Sequence, residues 1–421
     1  MRYKDTEVGI IPESWEVKQI KEVTEIVTDY VANGSFASLA ENVKYKDEPD
    51  EAVLIRLVDY NNDFNGNFVF IDSHAYEFLG KSKLFGGEII ISNVGAKVGT
   101  VFRCPTLKYK MSLAPNSVMV KFKENDDFYF HWLRGYNGQS MLKSIVTGSA
   151  QPKFNKTNFR EMLVPVPPVE EQTKIANILN SIDEKIDLNN GINKNLEEQI
   201  HALTNDMLSN PSSDWAEVSL NTIATFISGY SYKGKELTNS NIAMATIKNF
   251  NRTGGFKLGG YKEIIPSDKL KVTQHANLFD LLVAHTDLTQ NAEVIGNAEM
   301  IMSTSGYSDI VFSMDLVKVL PKERISKFLL AALLQDKRFK AHCLGYVNGT
   351  TVLHLSKKAL PEYSLLLPSD SSELKELDQV ITSMYLTIAN NIKENTELTN
   401  LRDSLLPKLM SGEIDVSDID L

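Results

Sequence analysis

Two cysteines in 421 residues, Cys104 and Cys343, leave no room for a disulfide framework. They lie far apart, with no CxxC spacing and no histidine pair nearby, so they make no zinc site either. The seven histidines are scattered without an HExxH, and no amino-methyltransferase string (Asn, Asp or Ser, then two prolines, then an aromatic) occurs. No apolar run approaches the ~18 residues that cross a bilayer. The opening MRYKDTEVGIIPESW lacks the apolar core of a secretory signal. These absences point to a cytoplasmic protein with no membrane partner, and they argue against a stand-alone enzyme.

Net charge is −10, an unpromising value for a nucleic-acid binder until it is resolved along the chain. Residues 1–168 carry −1 and residues 211–368 carry +3, whereas 169–210 carry −5 and 369–421 carry −7. Phosphate contact depends on local basic clusters, not on the whole-chain balance. The composition therefore permits DNA binding without arguing for it.

What the chain does have is a second copy of itself. Trp15 is followed by Val17, Ile20, Val23 and Ile26, and Trp215 by Val218, Leu220, Ile223 and Phe226. IVTGS (Ile145 to Ser149) matches YVNGT (Tyr346 to Thr350) at an offset of 201. A proline-bearing apolar exit follows each, LVPVPP (Leu163 to Pro168) and LLLP (Leu365 to Pro368). Then come the heptads. Spacings of four and three alternate through Ile175, Leu179, Ile182, Ile186, Asn189, Asn193, Leu196, Ile200, Leu203 and Met207. The second set runs through Leu377, Ile381, Met384, Ile388, Asn391, Asn395, Leu398, Arg402, Leu405 and Leu409, with Arg402 opposite Ile200 as the one mismatch. Such a pattern predicts a coiled-coil seam whose four asparagines set the register. An antiparallel pairing would place Asn189 against Asn395 and Asn193 against Asn391.

Each half therefore reads as a globular domain followed by one long helix: 1–168, 169–210, 211–368 and 369–421. Strand-like runs are Val53 to Tyr60, Glu88 to Ser92, Asn116 to Phe122, Asp280 to His285 and Asp315 to Leu320. Helical stretches are expected at Phe128 to Ser144 and Ile325 to Leu344. The mixture predicts an α+β chain of two α/β domains separated by two long antiparallel coiled-coil helices, with a pseudo-two-fold internal repeat.

Three strings imitate catalytic motifs. GYSYKGKE (Gly229 to Glu236) has phosphate-loop spacing, but Glu236 stands where a Ser or Thr must hold magnesium, so a backbone turn is the better reading. Gly95 and Gly99 follow a strand but lack the dinucleotide fingerprint. Asp370, Glu373 and Lys375 fall at a helix start, where acidic side chains are ordinary.

LLPKLMSGEI (Leu405 to Ile414) and PVPPVEEQTKIANILNSIDEKID (Pro165 to Asp187) resemble segments of the specificity subunits of type I restriction-modification systems. GEIIISNVGAKVGTV (Gly87 to Val101) and FDLLVAHTDLTQ (Phe279 to Gln290) are similar to the strand-and-loop of that family's target-recognition domains. The resemblance implies a non-catalytic chain whose two target-recognition domains each read half of a split DNA site. It implies two methyltransferase subunits using S-adenosylmethionine and restriction motor-nuclease subunits using ATP and Mg, with no cofactor and no metal bound by this chain. Side-chain type and loop position nominate Lys81, Lys83, Ser92, Asn93, Lys97, Thr147, Ser149, Gln151 and Lys153 as DNA contacts in the first domain. In the second they nominate Lys233, Lys235, Thr286, Thr289, Gln290, Asn348, Thr350 and His354. The competing readings are a coiled-coil scaffold without DNA reading and a stand-alone DNA-modifying enzyme.

Overall fold

The computed structural model describes residues 2–322 and 325–419, and the side chains of Ser371 and Glu373 lie outside what it describes. The chain divides into two compact units, Met1–Glu184 with Leu398–Leu421, and Lys185–Glu397. The division falls within two long helices, Val169–Ser209 and Lys375–Met410.

The first unit holds an antiparallel sheet in the order Thr24–Asp29, Ser117–Phe122, Ile89–Ser92, Val101–Arg103. Its continuous apolar run Ile89-Ile90-Ile91 follows from burial on both faces. Ile89 and Ile91 pack with Val118, Val120 and Trp132, whereas Ile90 packs with Val53, Ile55 and Phe102. A second sheet lies in the order Val69–Ile71, Ala52–Ile55, Lys110–Leu113, Lys83–Leu84, with the middle two strands parallel. The run from Val53 to Tyr60 is strand only as far as Ile55. From Leu57 the chain is helical, because the buried Asp59 carboxylate accepts the Arg56 N–H at 2.9 Å and pairs with its guanidinium at 2.6 Å.

The second unit repeats this plan. Its antiparallel sheet runs Ala224–Ser228, Leu316–Pro321, Leu281–Ala284, Ala298–Met300, and again one strand faces two cores. Leu281 and Val283 pack on one side, Leu282 and Ala284 on the other. A parallel pair, Ile242–Ala245 with Asp309–Phe312, recurs in its second sheet. In both units the strand near the tryptophan pairs with the proline-bearing exit: Glu16–Gln19 with Leu163–Val166, and Ala216–Ser219 with Ser364–Leu367.

Each expected helical stretch is two helices. Asp126–Arg134 and Tyr136–Ser144 meet at Gly135, and Lys327–Gln335 and Lys337–Leu344 meet at Asp336; both junctions have extended backbone. The first junction is tight. A Cβ on Gly138 would lie 2.1 Å from the Trp132 carbonyl oxygen.

The helix interiors follow the heptads with one correction. Ile175 and Leu179 are buried in the first unit's core with Leu409 and Met410, while Ile200, Ile381 and Ile388 belong to the second unit's core. Leu203, expected inside, is 37% exposed, and Thr204 is the buried residue. There Met207 and Leu208 pack against the second unit's core, so the apolar stripe drifts with the 3.6-residue turn of the helix away from a strict heptad. Arg402, the mismatch, makes an ion pair with Asp183 at 2.7 Å inside the first unit. Within the second unit Asn189 Nδ2 donates to Asn395 Oδ1 at 2.8 Å, and Asn391 Nδ2 donates to Asn193 Oδ1 at 2.8 Å. Rising numbers on one helix meet falling numbers on the other, so the two run antiparallel there. Asn189 also donates to Glu394, whose other neighbour is Lys185 at 3.2 Å.

Candidate nucleic-acid interface

In the first unit the strand Ile89–Ser92 ends in a loop that returns as Val101–Arg103. Gly95 and Gly99 sit in the left-handed region, with φ of 101° and 90°, which lets so short a loop reverse. A second tight turn closes when Thr147 and Lys153 exchange both backbone hydrogen bonds, at 2.8 and 2.9 Å, around Gly148 at φ 88°. The two loops are stitched together. The Gly95 N–H donates to the Pro152 carbonyl at 2.8 Å, and the Phe154 N–H to that of Asn93 at 3.1 Å.

The result is one surface carrying exposed Lys97, Thr147, Ser149, Gln151 and Lys153. Asn93 lies half-buried at the seam, its Nδ2 donating to the Phe154 carbonyl at 3.2 Å. Ser92 is a correction: as the last residue of the strand it pairs with Ser117 and is 1% exposed, so its hydroxyl is not on the loop surface. Lys81 is exposed but precedes a strand of the other sheet, and Lys83 is held by Glu77 at 2.8 Å and by the Tyr76 ring.

The second unit builds the corresponding surface. Thr286–Asp287 pairs with Leu353–Leu355, which pairs in turn with Val347–Asn348. Gly349 has φ 114°, and a Cβ there would meet the Val352 carbonyl oxygen at 2.3 Å. Gln290 Nε2 donates to the Thr350 carbonyl at 2.6 Å, joining the two loops as Gly95 and Pro152 do in the first unit. Gln290, Asn348, Thr350 and His354 are exposed, and Thr289 is half-buried. Thr286 is the second correction, 5% exposed with its hydroxyl donating to Asp315 at 3.0 Å.

Lys233 and Lys235 are exposed on a separate turn. There the Glu236 carboxylate accepts the Lys233 N–H at 2.5 Å, the Tyr230 hydroxyl at 2.8 Å and the Ser267 N–H at 3.0 Å. These bonds hold its pKa down to about 2, so Glu236 is a loop-holding anion and not part of a phosphate loop.

One carboxylate organises the second surface. Asp287 is 2% exposed and accepts the Thr289 N–H at 2.8 Å, the Thr289 hydroxyl at 2.9 Å and the Val294 N–H at 2.8 Å. Burial alone would raise its pKa, but these bonds outweigh burial and hold it below the usual carboxylate range. Asp287→Asn turns one acceptor into a donor facing an N–H, so a cost of about 2 kcal/mol is expected. Hydrogen exchange should quicken across residues 287–296 and stay unchanged in the first unit.

Sequence reasoning missed the residues that hold the loops from behind. Gln139 Nε2 donates to the Gly99 carbonyl at 3.0 Å, and Lys340 Nζ donates to the Glu293 carbonyl and Asn297 Oδ1, both at 2.5 Å. Their offset of 201, that of the matched IVTGS and YVNGT strings, was the available signal. Lys357 was also missed. Burial first, and then the neighbouring His354 and Lys357, push the His285 imidazole down. Among the described residues no group of three His, Cys, Asp or Glu could hold a metal ion, and no helix is long and apolar enough to cross a membrane.

Residues 12–198 match the family model of the type I restriction modification DNA specificity domain. Over 99% of its length the chain is 21% identical to the type I restriction enzyme MjaIX specificity subunit of Methanocaldococcus jannaschii, covering 97% of that protein. The MjaVIII specificity subunit of the same organism is 22% identical over 97% of this chain and 95% of its own. A putative MjaX specificity subunit is 26% identical over 46% of this chain and 45% of its own length. The crystal structure of a type I restriction-modification S subunit from M. genitalium superposes with a TM-score of 0.56 at 14% identity, covering 94% of this chain and 96% of that one.

Proposed function

From the match of residues 12–198 to the type I restriction modification DNA specificity domain, we propose that this chain is a specificity subunit of that family and that each unit reads one half of a split DNA site through its pair of stitched loops. The chain is a recognition component and not the catalyst. The observation that carries the two-half reading is recurrence: one surface, made by a strand-end loop tied to a glycine turn, is built twice with different side chains. Lys97 and Lys153 supply phosphate contacts in the first surface, and Gln151, Ser149 and Thr147 supply base-edge groups. Gln290, Asn348, Thr350 and His354 do so in the second, with Lys357 beside them.

The long helices act as a coiled-coil frame of an internally repeated, pseudo-two-fold chain, and they set the unspecified spacer between the half-sites. Two methyltransferase subunits dock on the helices and recognition domains, and restriction motor-nuclease subunits join for cleavage. S-adenosylmethionine, ATP and Mg are used by those partners, in the cytoplasm where the DNA lies. A base flipped out for methylation belongs to them also.

Copurification with a type I methyltransferase subunit, followed by genome-wide mapping of methyladenine, tests this. A two-part motif with a fixed gap is the expected result. A single contiguous motif, or methylation by this chain alone, would overturn it.

The asparagine pairs support a register role for Asn189, Asn193, Asn391 and Asn395. Asn189 and Asn193 are 1% and 8% exposed, and an unpaired buried amide costs roughly 1–3 kcal/mol, so each needs its partner opposite. Replacing all four with leucine should raise the melting temperature and admit alternative pairings, visible as mixed species in sedimentation. Unchanged stability in that variant would count against the role.

A further inference from the structure

A solitary exposed leucine on a protein surface is ordinary, but Leu288 is not in an ordinary place. It is 69% exposed and lies between Asp287, which is 2% exposed, and Thr289, whose N–H and hydroxyl both bind that aspartate. The Asp287 carboxylate also takes the Val294 N–H, so the turn from 287 to 294 is closed by a side chain and not by a mobile tip. The next residue, Gln290, is fastened to the Thr350 carbonyl. The loop thus holds an apolar side chain in solvent at a fixed position, among exposed Gln290, Asn348, Thr350 and His354.

Amide, hydroxyl and imidazole groups read donors and acceptors on base edges. None of them discriminates for the one apolar feature of the major groove, the 5-methyl group of thymine, which aliphatic side chains contact. The matching loop of the first unit carries Gly95, Ala96 and Lys97, and its larger aliphatic residues, Val94 and Val98, are partly buried where Leu288 is exposed.

We propose that Leu288 is a specificity-determining residue that reads a thymine 5-methyl group in the half-site bound by the second unit. The inference rests on the DNA-reading role proposed above and adds to it one residue and one atom of the target.

The test uses the full chain assembled with its methyltransferase subunit, after the motif has been mapped. Each thymine of the half-site is replaced in turn by deoxyuridine, which removes only the methyl group, and binding is measured for the native chain and for Leu288→Ala. At one position deoxyuridine should weaken the native complex by roughly five- to tenfold. Leu288→Ala should bind thymine that much more weakly and should no longer distinguish the two bases there. Leu288 is exposed, so folding is not in question, and circular dichroism verifies it. A half-site without thymine, no position sensitive to the methyl group, or undiminished discrimination by Leu288→Ala overturns the inference. Gln290→Ala and His354→Ala separate its failure from that of the parent reading: if they weaken binding while Leu288→Ala does not, only the leucine assignment falls. If none of the three has an effect, the second surface is not on DNA, and both fall.

Discussion

Exchanging residues 1–168 for the corresponding stretch of a relative is expected to rewrite one half of the methylated motif completely and leave the other half unchanged. The reason is in the hydrogen bonding. Every residue of the first loop surface, and Gln139 behind it, lies within that stretch, whereas the second surface draws on residues 285–358. The exchanged domain must still accept Ile175 and Leu179 from the long helix into its core, so a fusion that preserves those contacts is the one to make. Methylation mapping reads the outcome. A change in both halves at once would show that the surfaces are not independent.

Replacing Glu299 with glutamine is expected to have the largest effect on stability. Glu299 is 7% exposed and its carboxylate accepts the Gly255 N–H at 2.7 Å. Burial, reinforced by the charge of Glu197, raises its pKa from 4.5 to about 7. A carboxyl raised in the folded state favours folding fully below its unfolded pKa, and that advantage is lost as pH rises through the folded value. Between about pH 4.5 and 7 the native chain should therefore forfeit about 3 kcal/mol that Glu299→Gln does not. Chemical unfolding of both chains at pH 5 and pH 8 checks this. An identical pH dependence in the two would mean that the carboxyl is solvated.

Much of the frame was legible because it is periodic. Burial on both faces writes itself as uninterrupted runs such as Ile89-Ile90-Ile91 and Leu281-Leu282-Val283, and a seam writes itself as spacings of four and three. The site was less legible because a loop surface depends on where strands end. Ser92 and Thr286 have the right chemistry for DNA, yet each lies in a paired strand, Ser92 against Ser117 and Thr286 against His354, which puts its side chain inside. Gln139 and Lys340 sit on helices and hold the loops from behind, through backbone carbonyls and, for Lys340, the Asn297 side chain as well, so side-chain type alone did not reveal them. Leu203 failed for a different reason. A heptad extrapolates a 3.5-residue period, but the helix follows the surface it meets, and beyond Ile200 that surface is the core of the second unit's globular part.

The first compact unit is assembled from both ends of the described chain. The Tyr3 hydroxyl donates to the Gly412 carbonyl at 3.0 Å, Lys174 Nζ to that of Ser417 at 2.8 Å, and Leu409 and Met410 share a core with Trp15. On the ribosome this inverts the usual order of events. Residues 185–397 emerge as one uninterrupted stretch and have all their partners as soon as they are made. Residues 1–184, translated first, must wait for 398–419, a delay on the order of ten seconds or more at ordinary elongation rates. During that interval the apolar face around Trp15, Ile175 and Leu179 lacks its cover, so of the two units the one begun earlier is the later to close, with apolar surface exposed in the meantime.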